Sequence, residues 1–156
     1  MPIGDLVRLV LSDIAIVAGL SILIGATAPR WPDRWLSRNH GPMRLSFPRR
    51  ESTFRALGVT RLARRLPEFG ATFGGKSKAS IPGRDAASLQ RYLIEVRRAE
   101  WVHLLSMLTF IPIAFFNPWW LTLLFAVITI AGNTPFLLIL RYNRLRLTRL
   151  LDRMNR

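Results

Sequence analysis

The sequence has no cysteine and only two histidines, His40 and His103. Without cysteine, neither a disulfide framework nor thiolate ligation of a metal can form. Two histidines are too few for a histidine-rich metal site, so we expect no metal ion. Acidic residues are scarce as well: 9 Asp and Glu stand against 23 Lys and Arg, and the formal net charge is +14. Together these shortages exclude disulfide scaffolds and metalloproteins built on Cys or His.

High hydropathy accompanies this positive charge. Of the 156 residues 50% are hydrophobic, and the mean hydropathy is +0.22. A soluble domain of this charge would be polar on average, so the combination indicates a membrane protein with basic segments beside its spans. The length is too short for separate membrane and catalytic domains, and residues 1–156 are therefore interpreted as a single membrane domain.

Three apolar segments predict the fold. They cover residues 6–28, 99–117 and 119–140. A spanning helix needs about 20 apolar residues. The first and third segments provide them, and the second would span by tilting or by local thinning of the bilayer. A signal peptide is the alternative for the first segment, but its start carries an acid and little positive charge. We therefore predict an all-α integral membrane protein with about three transmembrane helices.

The distribution of basic residues predicts how these helices are oriented. Residues 29–98 hold 16 of the 23 Lys and Arg, residues 141–156 hold six, and the N-terminal segment holds one. Basic segments that flank spans remain in the cytoplasm. We expect residues 29–98 and the basic tail 141–156 in the cytoplasm, with the N-terminus outside. Trp119 and Trp120 lie where interfacial aromatic anchors are expected.

The basic cytoplasmic segment contains a predicted amphipathic helix over residues 51–66. Phe54, Gly58, Leu62 and Leu66 share one face, and arginines spread over the rest. Such a helix after a span is typical of one that lies in the membrane interface, attracted by anionic lipid heads. Nucleic-acid binding is the other interpretation of so many arginines. Because they flank spans and form no separate basic domain, we expect no nucleic-acid partner.

A glycine-rich loop over residues 70–78 matches a phosphate-binding pattern. Gly70 to Ser77 fits G-x-x-x-x-G-K-[ST]. That motif requires a buried strand before it and a helix after it, whereas Pro82 and Gly83 stop any long helix here. A nucleoside triphosphatase is therefore not expected. A loop that offers backbone N–H groups and two lysines to a phosphate, such as that of a coenzyme, stays open.

Polar residues gather at the base of the predicted C-terminal hairpin. Glu100 and His103 have i, i+3 spacing and share a helical face. Such a carboxylate can set the tautomer and basicity of a histidine that acts as a general base. Asn133 and Arg141 lie two turns apart on one face of the next helix, and Arg141 with Arg144 could bind phosphate or carboxylate. The alternative is a structural role, in helix contacts and as a positive-inside stop signal.

At these residues the chain resembles a known family. The pattern IEVRRAEWVH, then Asn117, then GNTPFLLILRYNRLRLTRLL, is similar to the C-terminal half of the glycosyl-4,4'-diaponeurosporenoate acyltransferases. Upstream, RWPDRW and LPEFGATFGGKSK are similar too, so the resemblance covers most of residues 30–151. The matching positions are Glu95, Arg98, Ala99, Glu100, His103, Asn117, Asn133, Pro135, Arg141, Tyr142, Asn143, Arg144 and Arg146.

The resemblance implies a multi-pass enzyme of the bacterial cell membrane. Members of that family esterify a fatty acyl chain onto the sugar of a glycosylated carotenoid acid. By resemblance, this chain is an O-acyltransferase that takes the acyl group from a thioester such as acyl-CoA. Its acceptor is then a glycosylated carotenoid or another glycolipid-like molecule, and we expect no cofactor besides the thioester.

The chemistry of the residues suggests how such a transfer would proceed. His103, oriented by Glu100, removes the proton of an acceptor hydroxyl as it attacks the thioester carbonyl. Asn133 or the pair Arg141 and Arg144 stabilises the oxyanion or holds the donor's phosphates. With no cysteine and no serine beside the histidine, direct transfer is favoured over an acyl-enzyme. The remaining candidate binding residues are Glu95, Arg98, Tyr142 and Asn143.

Two other functions fit the same pattern. An integral-membrane methyltransferase would also place polar and arginine-rich groups at the cytoplasmic ends of its last helices. A non-catalytic membrane subunit that binds lipid through its basic surface would use the polar residues for stability or assembly alone. Three spans bury little surface, so association into a homo-oligomer is a further expectation.

Overall fold

The computed structural model describes residues 2–38, 41–44, 51–65 and 85–156. Their regular structure is helical, and none of these residues lies in a β-strand. The predicted all-helical class is therefore confirmed. The α-helices are α1 (Ile3–Thr27), α2 (Asp33–Leu36), α3 (Glu51–Ala56), α4 (Val59–Arg65), α5 (Ala86–Ser106) and α6 (Trp119–Met154). Short 3-10 helices cover Ala28–Arg30, Gly41–Arg44 and Pro112–Phe115.

Two stretches of the described chain are long and apolar enough to cross a membrane. One is Ile3–Arg30, where α1 continues into a 3-10 turn, and the other is α6. Only 11% and 28% of their most apolar windows are buried inside the protein, so both helices direct apolar surface outward. Apolar surface of this extent suits lipid and is rarely left exposed to water. The spans predicted over 6–28 and 119–140 thus coincide with helices of suitable length and character.

The third span, predicted over residues 99–117, is not confirmed. α5 ends at Ser106, and the chain continues through turns into the 3-10 helix Pro112–Phe115. Pro112 lacks the backbone N–H that would bond to the carbonyl four residues earlier, so a regular α-helix cannot continue through it. The hairpin itself is present, because α5 and α6 share the most extensive contact between any two elements of the described chain.

α5 begins well before the predicted span, and Asp85 explains its start. The Oδ1 atom of Asp85 accepts a hydrogen bond of 2.9 Å from the backbone N–H of Ser88, which satisfies one of the free donors in the first turn. This hydrogen bond lowers the pKa of the Asp85 carboxyl. The cap therefore stabilises the helix above the carboxyl's unfolded pKa, and its contribution is lost as the pH falls through the lower folded value.

The single helix predicted over residues 51–66 is interrupted at Gly58. Gly58 has a φ of +69°, a left-handed conformation that glycine adopts at little cost, and it separates α3 from α4. Phe54 and Val59 are buried against Ile139 of α6. At these residues the apolar face contacts protein, whereas the sequence predicted contact with lipid.

Two further clusters hold the long helices together. Near the tip of the hairpin, apolar residues of α1 pack against the turn and the start of α6. The α1 residues are Leu9, Val10, Ile16 and Val17, and they contact Ile113 in the turn and Leu121 and Phe125 in α6. At the other end of the hairpin, the start of α5 packs on Leu147 of α6. The hairpin is thus fixed at both ends. His40, Leu66 and the loop over 70–78 lie outside the described residues.

Candidate active site

The site is centred on a hydrogen bond between α5 and α6. The Nδ1 atom of His103, in the last turn of α5, lies 2.8 Å from Oδ1 of Asn133. The Nδ2 atom of Asn133 donates to the carbonyl oxygen of Thr129 at 2.8 Å. The imidazole ring also stacks on Phe136, with 5.0 Å between ring centroids and parallel planes. These contacts fix both the position and the plane of the half-buried histidine.

The hydrogen bonds of Asn133 determine which nitrogen of His103 carries the proton. The Thr129 carbonyl can only accept, so the amide nitrogen of Asn133 must face it and the amide oxygen must face the histidine. That oxygen also only accepts, so Nδ1 of His103 is the donor. In the neutral ring, Nε2 then holds a free lone pair. This is the tautomer that a general base requires.

Glu100 has a different partner from the predicted one. Its side chain is fully buried, and its Oε1 accepts a hydrogen bond of 3.0 Å from Nε of Arg144, which is only 6% exposed. No hydrogen bond joins Glu100 to His103 in the described chain, and the orienting role predicted for Glu100 is held by Asn133. The buried ion pair instead ties α5 to α6 one turn from the histidine.

Arg97 and Arg141 surround this ion pair. Each interacts electrostatically with both Glu100 and Arg144. Arg97 also donates to the carbonyl oxygens of Leu36 and Ser37 at 3.1 and 2.7 Å; burial lowers the pKa of its guanidinium. Three guanidinium groups and one carboxylate give this cluster an excess of positive charge, which would stabilise an anion.

The other four predicted binding residues lie outside this cluster. Arg98 bonds to Glu95 on its own helix and to Asp33, with 2.6 Å to the Asp33 carboxylate, so it links α5 to α2. Tyr142 packs on Phe54 of α3 at 5.7 Å between ring centroids. Asn143 lines a separate cavity near the end of α6. Of the predicted residues, the structure brings together Glu100, His103, Asn133, Arg141 and Arg144.

Sequence reasoning missed several contributors to the site. Thr129 and Phe136 hold Asn133 and His103, and they stand four residues before and three residues after Asn133. Their helical spacing could have identified both as sharing a face with Asn133. Arg97 was missed because its contacts join segments about 60 residues apart, and no local pattern reports such a contact.

A model of one protein family matches the chain over residues 32–153, and its description is glycosyl-4,4'-diaponeurosporenoate acyltransferase. The match covers 122 of the 156 residues, from α2 to the end of α6. The chain belongs to this family.

Membership in the glycosyl-4,4'-diaponeurosporenoate acyltransferase family confirms the resemblance found in the residues. The matched range contains every residue of the His103 site and leaves out α1. Neither a curated protein nor a solved structure matches the chain. The described residues contain no group of three or more His, Cys, Asp or Glu that could hold a metal ion.

Proposed function

We propose that this protein is a membrane O-acyltransferase that moves a fatty acyl group from a thioester to a hydroxyl of a glycosylated, lipophilic acceptor. Family membership supports the reaction class. The observation that carries the mechanism is the hydrogen bond from Nδ1 of His103 to Asn133, because it leaves Nε2 with a free lone pair. A glycosylated carotenoid is the acceptor that the family description favours.

In the proposed reaction His103 acts as the general base. Its Nε2 takes the proton of the acceptor hydroxyl while the oxygen attacks the thioester carbonyl, and an O–C bond forms. The tetrahedral oxyanion collapses, the C–S bond breaks, and the leaving thiolate takes the proton from the imidazolium. The products are an ester and a free thiol, and the histidine returns to its neutral tautomer. Nδ1 donates to Asn133 in both the neutral and the protonated ring, so the same neutral tautomer is restored after each turnover.

The arginine cluster has a separate role in this proposal. Arg97, Arg141 and Arg144 lie around Glu100, one turn from His103. Their excess positive charge stabilises either the oxyanion or an anionic part of the donor. Glu100 holds Arg144 in place and is assigned no proton transfer.

The proposal also covers where the protein lies in the cell and how it is oriented in the membrane. The protein is a multi-pass component of the bacterial cell membrane with its N-terminus outside, its C-terminus in the cytoplasm and its site at the cytoplasmic base of the hairpin. The apolar outward faces of α1 and α6 and the basic residues of 29–98 and 141–156 support it. The thioester is the only co-substrate that this reaction requires.

Replacement of His103 tests the reaction. Membranes that contain the protein are supplied with radiolabelled acyl-CoA and a lipid extract, and label in the ester fraction is counted. We expect His103→Ala and His103→Gln to lower transfer by at least about a hundredfold, the contribution of a general base.

The matched control is Thr134→Val, whose lost hydroxyl donates only to the carbonyl of Ile130. It should transfer at the rate of the unmodified protein. Normal transfer by both histidine variants, at equal protein levels, would remove His103 from the mechanism.

A further inference from the structure

The structure contains a cavity whose lining includes neither His103 nor Asn133. It has a volume of about 530 Å³ and lies between the start of α5, the start of α3 and the last turns of α6. We call it the basic groove and define it by Tyr92, Asn143, Arg146, Arg149, Leu150 and Arg153, which are among its lining residues. We propose that the basic groove binds the phosphate group of an amphiphilic molecule.

The charge of the basic groove supports an anionic ligand. Arg146, Arg149 and Arg153 follow one another at i, i+3 and i+7 on α6, so they project from one side of the helix. Glu51 is the acidic residue of the lining, and its Oε1 accepts from Arg149 at 2.8 Å. Three guanidinium groups against one carboxylate leave an excess of positive charge.

Two of these arginines keep donors available for a ligand. The guanidinium carbon of Arg146 lies 5.6 Å from the centroid of the Tyr142 ring. This cation–π contact uses the face of the guanidinium group and leaves its N–H donors available. Arg153 makes no hydrogen bond or ion pair with any residue of the described chain. Planar guanidinium groups recognise phosphate through paired N–H donors.

The other lining residues indicate what carries the phosphate. Tyr92, Leu147 and Leu150 form an apolar wall beside the arginines. A volume of about 530 Å³ is that of a site for a whole organic molecule and exceeds what inorganic phosphate alone would fill. The basic groove therefore fits a phosphate attached to an apolar or aromatic body.

The distance between the basic groove and His103 suggests which molecule carries the phosphate, and this step rests on the proposed function. Arg146 follows Asn133 by 13 residues on α6, which is about 20 Å along the helix. A thioester at His103 could therefore reach the groove only through a long arm, such as the one that separates the thioester of acyl-CoA from its phosphates. The head group of an anionic phospholipid offers the same chemistry from the bilayer.

Binding of coenzyme A without an acyl chain tests the proposal independently of turnover. The full-length protein is placed in phosphatidylcholine nanodiscs, and coenzyme A binding is measured by calorimetry. We expect Arg146→Gln combined with Arg153→Gln to weaken binding roughly tenfold or more, and raised salt to weaken binding to the unmodified protein. The matched control removes two exposed arginines outside the lining, through Arg8→Gln combined with Arg34→Gln, and should bind normally.

A second arm identifies a lipid source. The same proteins are placed in nanodiscs that contain phosphatidylglycerol, and the lipid retained after purification is counted by native mass spectrometry. Loss of retained phosphatidylglycerol in the groove variant alone, with no coenzyme A binding by any protein, supports the groove with a phospholipid as its ligand. Equal binding of both probes by the groove variant and the control variant would overturn the proposal.

Two further variants distinguish a loss of binding in the basic groove from misfolding and from a loss of turnover. Arg153→Gln alone changes an exposed side chain that makes no hydrogen bond or ion pair in the described chain. We therefore expect this single variant to fold normally, and reduced binding of coenzyme A or phosphatidylglycerol by it to report on the groove. His103→Ala should bind both probes as the unmodified protein does. If it binds coenzyme A and also keeps full transfer activity, the general-base mechanism fails while the phosphate site stands.

Discussion

At the scale of single residues, the proposed mechanism depends on which atom of Asn133 faces His103. The amide oxygen holds the proton on Nδ1 and so exposes the lone pair of Nε2. Asn133 touches no reacting atom in the proposed mechanism and is a positioning residue. The histidine ring is also held by its stacking on Phe136, so loss of Asn133 should change the tautomer more than the position.

Substitution of Asn133 separates these effects. Asn133→Leu removes the acceptor at Nδ1, and we expect transfer to fall roughly tenfold to a hundredfold, with the loss in kcat. Asn133→Asp keeps an acceptor oxygen at Nδ1 and should restore part of the rate. The measurement is kcat and KM for labelled acyl-CoA in membranes. Equal loss in the Leu and Asp variants would show that Asn133 acts through packing alone.

At the scale of secondary structure elements, α5 and α6 are joined by a buried ion pair. Glu100 and Arg144 are both almost inaccessible, and Oε2 of Glu100 has no hydrogen-bond partner in the described chain. Removal of Arg144 leaves the buried carboxylate of Glu100 without the arginine that donates a hydrogen bond to it. Replacement of both partners by uncharged residues avoids that cost, so the pair adds little net stability relative to an uncharged pair of similar volume.

We expect Arg144→Met to lower stability by about 3–5 kcal/mol. The double variant Glu100→Gln with Arg144→Met should recover part of that loss, because the fully buried carboxylate is no longer charged, while Arg97 and Arg141 keep their charges. Thermal unfolding of the detergent-solubilised protein, followed by circular dichroism, gives the difference. A double variant no more stable than Arg144→Met would contradict the interpretation and point to lost packing of the arginine stem.

The elements also show what a sequence pattern can predict. Long apolar runs predicted the apolar parts of α1 and α6, because outward apolar surface follows from composition, but not that α6 continues through the basic residues to Met154. Periodicity identified the apolar face that contains Phe54 but not the break at Gly58, since a positive φ depends on the turn and not on the repeat. Spacing placed Glu100 and His103 on one face, but contacts with α6 gave each a partner there.

At the scale of the whole molecule, α1 and the chain that follows it contact the α5–α6 hairpin at two places. Asn117, next to the tip, donates to Oδ2 of the fully buried Asp13 at 2.7 Å. Beyond the other end of α1, Leu36 and Ser37 accept hydrogen bonds from Arg97 of α5. The proposed orientation requires three crossings of the bilayer, although α5 ends as an α-helix at Ser106.

The number of crossings determines on which side the C-terminus lies. Three crossings put the two ends of the chain on opposite sides of the membrane, whereas two crossings, by α1 and α6 alone, put them on the same side. Because the chain has no cysteine, any introduced cysteine is the sole target of a maleimide. Asp5→Cys, Phe116→Cys and Arg156→Cys place it at exposed positions near the N-terminus, at the tip of the hairpin and at the C-terminus.

We expect a membrane-impermeant maleimide to label Asp5→Cys and Phe116→Cys on intact cells, and Arg156→Cys only after the membrane is opened. Labelling of both Asp5→Cys and Arg156→Cys on intact cells would show two crossings and contradict the orientation. It would also place six arginines of the tail outside, against the tendency of basic segments to remain in the cytoplasm. The basic groove would then face away from any cytoplasmic thioester, and anionic lipid would be the remaining source of its phosphate.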